Sequence, residues 1–316
     1  MKTSAAVLAA SLAIPLLAMA EDPADRFGQV IGFGDSLSDP GNFFVLTGQQ
    51  SRAPYAPVPG APYAIGGHRF SNGATWLELV TKALGDGSGG KPAFRNADFD
   101  NFSVGGARAR PSGGAPDLTT QVGAYLARNG WSADASALYS LWFGSNDARD
   151  ALALLEAATT AAEVTAAFGV ITQAAGTISN NINVLHASGA RSFIVANLPN
   201  LGTTPAAQAG GPDAVAAATF VSAVFNAELE AVLGALDALP DIEIVRLDVW
   251  TLLNSVAVSP EAFGLTNAVS PCLSFGIRGE HICPNPLSFL YWDSIHPTHA
   301  GHTILAEEAI RLLTSP

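Results

Sequence analysis

Positive charge is scarce in this 316-residue sequence, which holds 15 lysines and arginines against 27 aspartates and glutamates, for a formal charge of −12. That shortage excludes nucleic acid as a partner, because affinity for a phosphate backbone needs clustered lysine and arginine. Charge of either sign is thin, at 13% of residues, where an average soluble protein carries roughly 25%. The exposed surface must then rest on Ser, Thr, Asn, Gly and Ala, which suits an exported protein. Long apolar runs are lacking after residue 20, so the mature chain is expected to be soluble. Cysteine is limited to Cys272 and Cys283, eleven positions apart in a Pro- and Gly-rich stretch.

What is present begins with MKTSAAVLAASLAIPLLAMA, a basic Lys2, a short apolar stretch broken by Pro15, and small residues at Ala18 and Ala20. This pattern predicts a signal peptide over residues 1–20, cleaved before Glu21, rather than an uncleaved anchor. Lys2 is the only charge it removes, so the mature formal charge is −13. In an exported chain the two cysteines are expected to form one disulfide worth about 2 to 3 kcal/mol. Placed just before Asp293, it would pin the loop that carries that residue. The other reading is two unpaired thiols.

Five apolar or β-branched runs predict buried strands at 29–33, 99–104, 138–143, 192–197 and 242–247. Helical patterns alternate with them at 74–84, 118–129, 151–186, 213–239 and 297–313. Strands separated by helices of this length need crossover connections, so the class is α/β with a parallel sheet covered on both faces. Residues 46–67 and 203–212 carry Pro and Gly without a period and read as loops. No linker or repeat interrupts residues 21–316, which are expected to form one domain with its ligand site beyond the carboxyl ends of the strands.

Four blocks fall at those ends. Ser36 sits in GDSLSDPGN, where a buried strand gives way to a turn and a hydroxyl is both held and exposed. NFSVGGA follows at 101–107, and paired glycines there let a backbone N–H approach a ligand. GSND at 144–147 opens a helix, and Asp293-Ser294-Ile295-His296-Pro297 leads into the last one. A carboxylate three residues before an imidazole can fix that ring's tautomer while its other nitrogen faces a nucleophile. Taken singly, each block reads as an ordinary turn or helix cap, with Asp35, Ser36, Asn146, Asp147, Asp293 or Thr298 as the capping residue.

All four in this order resemble the GDSL, or SGNH, hydrolase family. The resemblance implies a flavodoxin-like three-layer α/β/α sandwich with a mostly five-stranded parallel sheet, and no cofactor. It implies Ser36 as nucleophile, Asp293 and His296 as the rest of a triad, and an oxyanion hole from Ser36, Gly106 and Asn146, with Gly106 preferred to Gly105 by counting from Asn101. The form of the serine block is similar to the larger plant-type and secreted microbial branch, which includes esterases, lipases and cholesterol acyltransferases. The implied reaction is ester hydrolysis through an acyl-enzyme. Acyl transfer to a sterol or sugar hydroxyl, and a binding module without turnover, are the other readings.

The expected partners are a small-molecule, lipid or carbohydrate ester and at most a transient lipid interface, met by a secreted monomer. Asp293, His296, His299 and His302 recur every three residues, but that spacing drifts around a helix and Pro297 interrupts it, so no metal site is expected. Asn101-Phe102-Ser103 matches a glycosylation sequon, yet a strand end beside the site should keep a glycan away.

Overall fold

Runs that are apolar on both faces can be satisfied only between two layers of helix, and the sequence places four of them together. The computed structural model describes residues 26–52, 60–275 and 281–315, and the leader read over 1–20 lies outside these. Strands β1 (Val30–Gly34), β2 (Leu138–Trp142), β3 (Ser192–Ala196) and β4 (Glu243–Leu247) form one parallel sheet in the order β1-β2-β3-β4. Every residue of β1 and β2 is buried.

The helices are α1 (Asn42–Thr47), α2 (Trp76–Ala83), α3 (Leu118–Arg128), α4 (Ser145–Ala157), α5 (Ala161–Ala187), α6 (Pro205–Ala209), α7 (Pro212–Leu236), α8 (Val249–Val258) and α9 (His299–Thr314). Side chains alternate across the sheet. On one face Ile31, Phe33, Tyr139, Leu141, Phe193 and Val195 pack against α3, α4, α5 and α7. On the other, Val30, Leu138, Trp142, Ile194 and Leu247 meet α2, α8 and α9. The architecture is therefore three layers, α/β/α.

The sheet has four strands rather than the expected five. Residues 99–104 do lie beside β1, with Gly32 N–H donating to the Asp100 carbonyl at 3.0 Å and Phe102 N–H to the Gly32 carbonyl at 2.7 Å. Only the Gly32–Asn101 bridge results. At the next rung Val104 N–H still donates to the Gly34 carbonyl at 3.1 Å, but the Gly34 N–H is taken by Gln121 Oε1 at 3.0 Å, and Gln121 Nε2 shares the Gly34 carbonyl at 2.9 Å. Segment 99–104 therefore runs along β1 without completing a ladder.

The alanine-rich stretch expected as one helix is two, α4 and α5, because Thr160 and Glu163 form a capping box that starts α5 afresh. Residues 203–212, expected as loop, contain α6, with the Thr204 side chain capping it and Pro205 at its first position. Helix α7 also corrects an expectation: by length and composition alone it could cross a membrane. Its alanines raise its hydropathy, while Val221, Phe225, Leu229 and Leu233 bury themselves in the core.

Four short strands complete the chain: β5 (Asn267–Pro271) pairs in parallel with β8 (Phe289–Tyr291), and β6 (Leu273–Ser274) with β7 (His281–Ile282) antiparallel. Cys272 and Cys283 are joined by a disulfide across the second pair. Cys272 N–H donates to the Tyr291 carbonyl at 2.9 Å and Leu273 N–H to the Trp292 carbonyl at 2.6 Å, so the bridged hairpin lies against the two residues preceding Asp293. Closing this short loop constrains the unfolded chain by about 3 kcal/mol. Reduction should lower the unfolding free energy by that order, measured by urea titration with and without reductant. Mass spectrometry of unreduced peptides should recover the two cysteines linked, and free thiols in native material would contradict this.

Candidate active site

The turn after β1 is built by carboxylates that bind their own backbone. Asp35 Oδ1 accepts from Leu37 N–H at 3.0 Å and the Asp35 carbonyl from Ser38 N–H at 3.1 Å, a turn two residues wide that leaves Ser36 at its tip. Asp39 accepts the N–H groups of Gly41, Asn42 and Phe43 and so starts α1. Its Oδ2 also takes Gly105 N–H at 2.8 Å, which ties the serine block to the Gly-Gly block. Asn42 Nδ2 donates to the carbonyls of Asn101 at 2.7 Å and Ser103 at 2.9 Å, and Asn101 Nδ2 returns a bond to the Ser38 carbonyl at 3.0 Å. The sequon asparagine is thus fully buried and its amide is committed.

The last block reaches this turn across 260 positions of sequence, with His296 Nε2 2.9 Å from Ser36 Oγ. His296 Nδ1 lies 2.7 Å from Asp293 Oδ2. An ionised carboxylate only accepts, so Nδ1 carries the proton and Nε2 is left to accept from the serine hydroxyl. Asp293 Oδ1 accepts the N–H groups of Ile295 at 2.8 Å and His296 at 2.7 Å. Burial on its own raises the Asp293 carboxyl, but the His296 charge, its ring bond and these two N–H groups outweigh burial and hold the pKa below the ordinary value. Thr298 caps α9 by accepting from Gly301 N–H, which leaves Asp293 to His296.

One partner of Asp293 carries no signal in the sequence. Tyr63, within the Pro- and Gly-rich loop, donates its phenol to Asp293 Oδ2 at 2.8 Å and packs edge-on against Trp292. Asp39, Asn42 and Gln121 were also missed, although Asp39 and Asn42 stand in the serine block itself.

The expected oxyanion donors fall around the same turn. Among the described residues, neither Ser36 N–H nor Gly106 N–H has a hydrogen-bond acceptor. Gly105 N–H is spent on Asp39, and a Cβ at Gly105 would lie 2.1 Å from the Phe70 ring. Gly106, at φ 78°, faces open space. Asn146, at the start of α4, donates through Nδ2 to the Ala107 carbonyl at 2.9 Å and, in a longer bond of 3.3 Å, to Asp35 Oδ2. Burial pushes the Asp35 carboxyl up to about 7, against the opposing Leu37 N–H and His296 charge. Asp147 turns the other way and accepts from Ala109 N–H at 2.8 Å, which anchors the strand of loop after Gly106. Ser36, Asn146 and His296 line one pocket.

The series of histidines does not converge. His299 Nδ1 lies 3.1 Å from the Ala74 carbonyl, and His302 Nδ1 accepts from Trp76 N–H at 3.3 Å. Burial, with the charges of His296 and His299, lowers the His302 pKa to about 3, so it is neutral. Among the described residues no group of three or more His, Cys, Asp or Glu could hold a metal ion.

This arrangement can move a proton from a serine hydroxyl to an imidazole backed by a carboxylate, beside N–H groups free to meet a new negative charge. A protein from the trpE-trpG intergenic region of Pseudomonas putida is 33% identical over 97% of this chain and 52% of its own length. Esterase EstA of Pseudomonas aeruginosa is 30% identical over 98% of this chain and 50% of its own. A GDSL esterase/lipase of Arabidopsis thaliana is 23% identical over 88% of this chain and 85% of its own. The chain spans about half the length of the two bacterial relatives. The model of the GDSL-like lipase/acylhydrolase family matches residues 30–309 and takes in all four blocks, and the chain belongs to that family.

Proposed function

We propose that this chain hydrolyses carboxylic esters, with Ser36 as nucleophile, His296 as general base and acid, and Asp293 orienting the ring. The observation that carries the reading is the buried hydrogen-bonded line Asp293 Oδ2–His296–Ser36 Oγ, at 2.7 and 2.9 Å. His296 Nε2 takes the Ser36 proton as Oγ attacks the ester carbonyl, and returns it to the leaving alcohol as the acyl-enzyme forms. Water then repeats the steps in reverse order of partners. The N–H groups of Ser36 and Gly106 stabilise the oxyanion, joined by the Asn146 Nδ2 hydrogen that leaves its long bond to Asp35 as the charge develops. The disulfide and the family supply further support for an exported esterase working as one domain after loss of residues 1–20.

Ser36→Ala should abolish hydrolysis of p-nitrophenyl esters while leaving the melting temperature close to that of the parent, because the hydroxyl serves only covalent attack. Turnover near the parent rate would sink the assignment. Asn146→Ala separates an oxyanion donor from a helix cap. The donor role predicts a loss of a hundredfold or more in kcat with KM nearly unchanged, and early melting with normal turnover would leave Asn146 as a structural residue only.

The Asp35 carboxyl beside Asn146 has a consequence for pH. Its folded pKa, about 7, lies above the ordinary 3.8. The folded state therefore binds this proton more tightly, and the resulting stability is complete below about pH 4 and lost as pH rises through about 7. At about 1.36 kcal/mol per unit the full effect is of order 4 kcal/mol. Melting temperatures from pH 4 to 8 should fall more steeply for the parent than for Asp35→Asn, and parallel curves would refute the shift.

A further inference from the structure

The pocket at Ser36 is small, but it does not end there. Arg149, Leu201, Thr204 and Ile295 line both this pocket and a second cavity of about 530 Å³. The second cavity runs between α4 and the α6–α7 corner, away from the triad. Its walls are mostly apolar, with Leu152 and Leu155 on α4 facing Ala214, Ala217 and Ala218 on α7, while Glu156 and Asp213, both exposed, line it with their carboxylates at the solvent side. The spacings i, i+3 and i, i+4 put each set on one side of its helix. Alanine side chains leave a trough where larger ones would close the gap. Its near end is tied to the catalytic loop, since Ala206 N–H of α6 donates to the Ser294 carbonyl at 3.0 Å. Ile295, between Asp293 and His296, forms part of both walls.

We infer that this trough is the acyl site, and that it takes an unbranched aliphatic chain of medium length from the ester held at Ser36. The inference rests on the esterase reading and names the substrate class of that same site. The occupant follows from continuity: the shared residues make one passage, so a chain attached at the carbonyl carbon has a mostly apolar trough leading from the serine. Leu152, Leu155, Ala214 and Ile295 are all partly buried and offer no hydrogen-bonding side chain. Arg149, exposed at the junction, contributes its carbon stem to the passage while its guanidinium stays in water. A larger cavity, of about 1260 Å³, does not serve, because it is lined by Lys82, Lys91, Arg69 and Arg95 and by none of Ser36, Asp293 or His296.

Each buried methylene gains roughly fourfold, the equivalent of about 0.8 kcal/mol at about 1.4 kcal/mol per tenfold. The test measures kcat/KM for p-nitrophenyl butanoate and octanoate on the full chain. The parent should prefer octanoate by at least tenfold. Ala217→Trp places an indole across the trough from an exposed position on α7, and should lower the octanoate-to-butanoate ratio at least tenfold. Ala214→Trp, one turn earlier, should do the same, and serves if the first variant fails to fold. Lys82→Glu, in the polar cavity, should keep the parent ratio. A parent that cleaves butanoate but shows no preference, or an unchanged ratio in a folded tryptophan variant, overturns the acyl site and leaves the esterase reading intact. Failure to cleave either ester overturns both.

Discussion

Asp39 is fully enclosed, and its carboxylate gathers four backbone N–H groups, three from the start of α1 and one from Gly105. Burial drives its pKa up to about 6, and those four donors work against burial to keep the group useful as an acceptor. A buried carboxyl with fewer partners would be a large cost. Here it joins two segments more than sixty residues apart, one carrying Ser36 and the other Gly106. The position of the Ser36 hydroxyl relative to the Gly106 N–H is thus set by a third group that belongs to neither residue. Asn42 and Asn101 extend the same lattice, each bonding to the backbone of the other segment. Loops at the end of a sheet become as rigid as the strands they leave.

The second half of the site is held by different means. Asp293 and His296 lie in a tight turn closed by Trp292 N–H donating to the His296 carbonyl at 2.8 Å. That turn is backed on one side by the disulfide-bridged hairpin and on another by Tyr63. Hydrogen bonds, a covalent bridge and an aromatic contact converge on a carboxylate whose acceptor sites are all filled. An imidazole oriented so firmly loses little freedom when it meets a substrate.

Much of this was legible in the residues, and the limits have physical causes. Strands β1 to β3 stood out because buried parallel strands are largely apolar on both faces, edge strand β4 by Ile244, Val245 and Leu247 despite Glu243 and Arg246, and the site blocks because polar and glycine residues break these patterns abruptly. Residues 99–104 looked the same, yet Gln121 takes the Gly34 N–H that a full ladder would use, and an intrusion from 87 positions away leaves no local trace. The break between α4 and α5 was hidden by alanine, which suits helix everywhere, although Thr160 and Glu163 mark it. The roles of Asp39 and Asn42 could have been suspected from their place in the serine block. Tyr63 could not, since nothing in an aperiodic Pro- and Gly-rich stretch says which residue folds back on Asp293. Gly105 and Gly106 are alike in the sequence, and only the coordinates show that the Gly105 N–H is already spent on Asp39.

The separation of 260 positions between Ser36 and His296 bears on how the protein comes into being. The serine turn closes on itself through Asp35 and Leu37, but His296 comes within reach only where α9 packs against α2. Such long-range closure is slow, since loop entropy must be overcome before the contact gives anything back. During synthesis Ser36 therefore emerges long before His296 exists to meet it. With the roles proposed for these residues, a chain that stops short of His296 carries an ordinary alcohol.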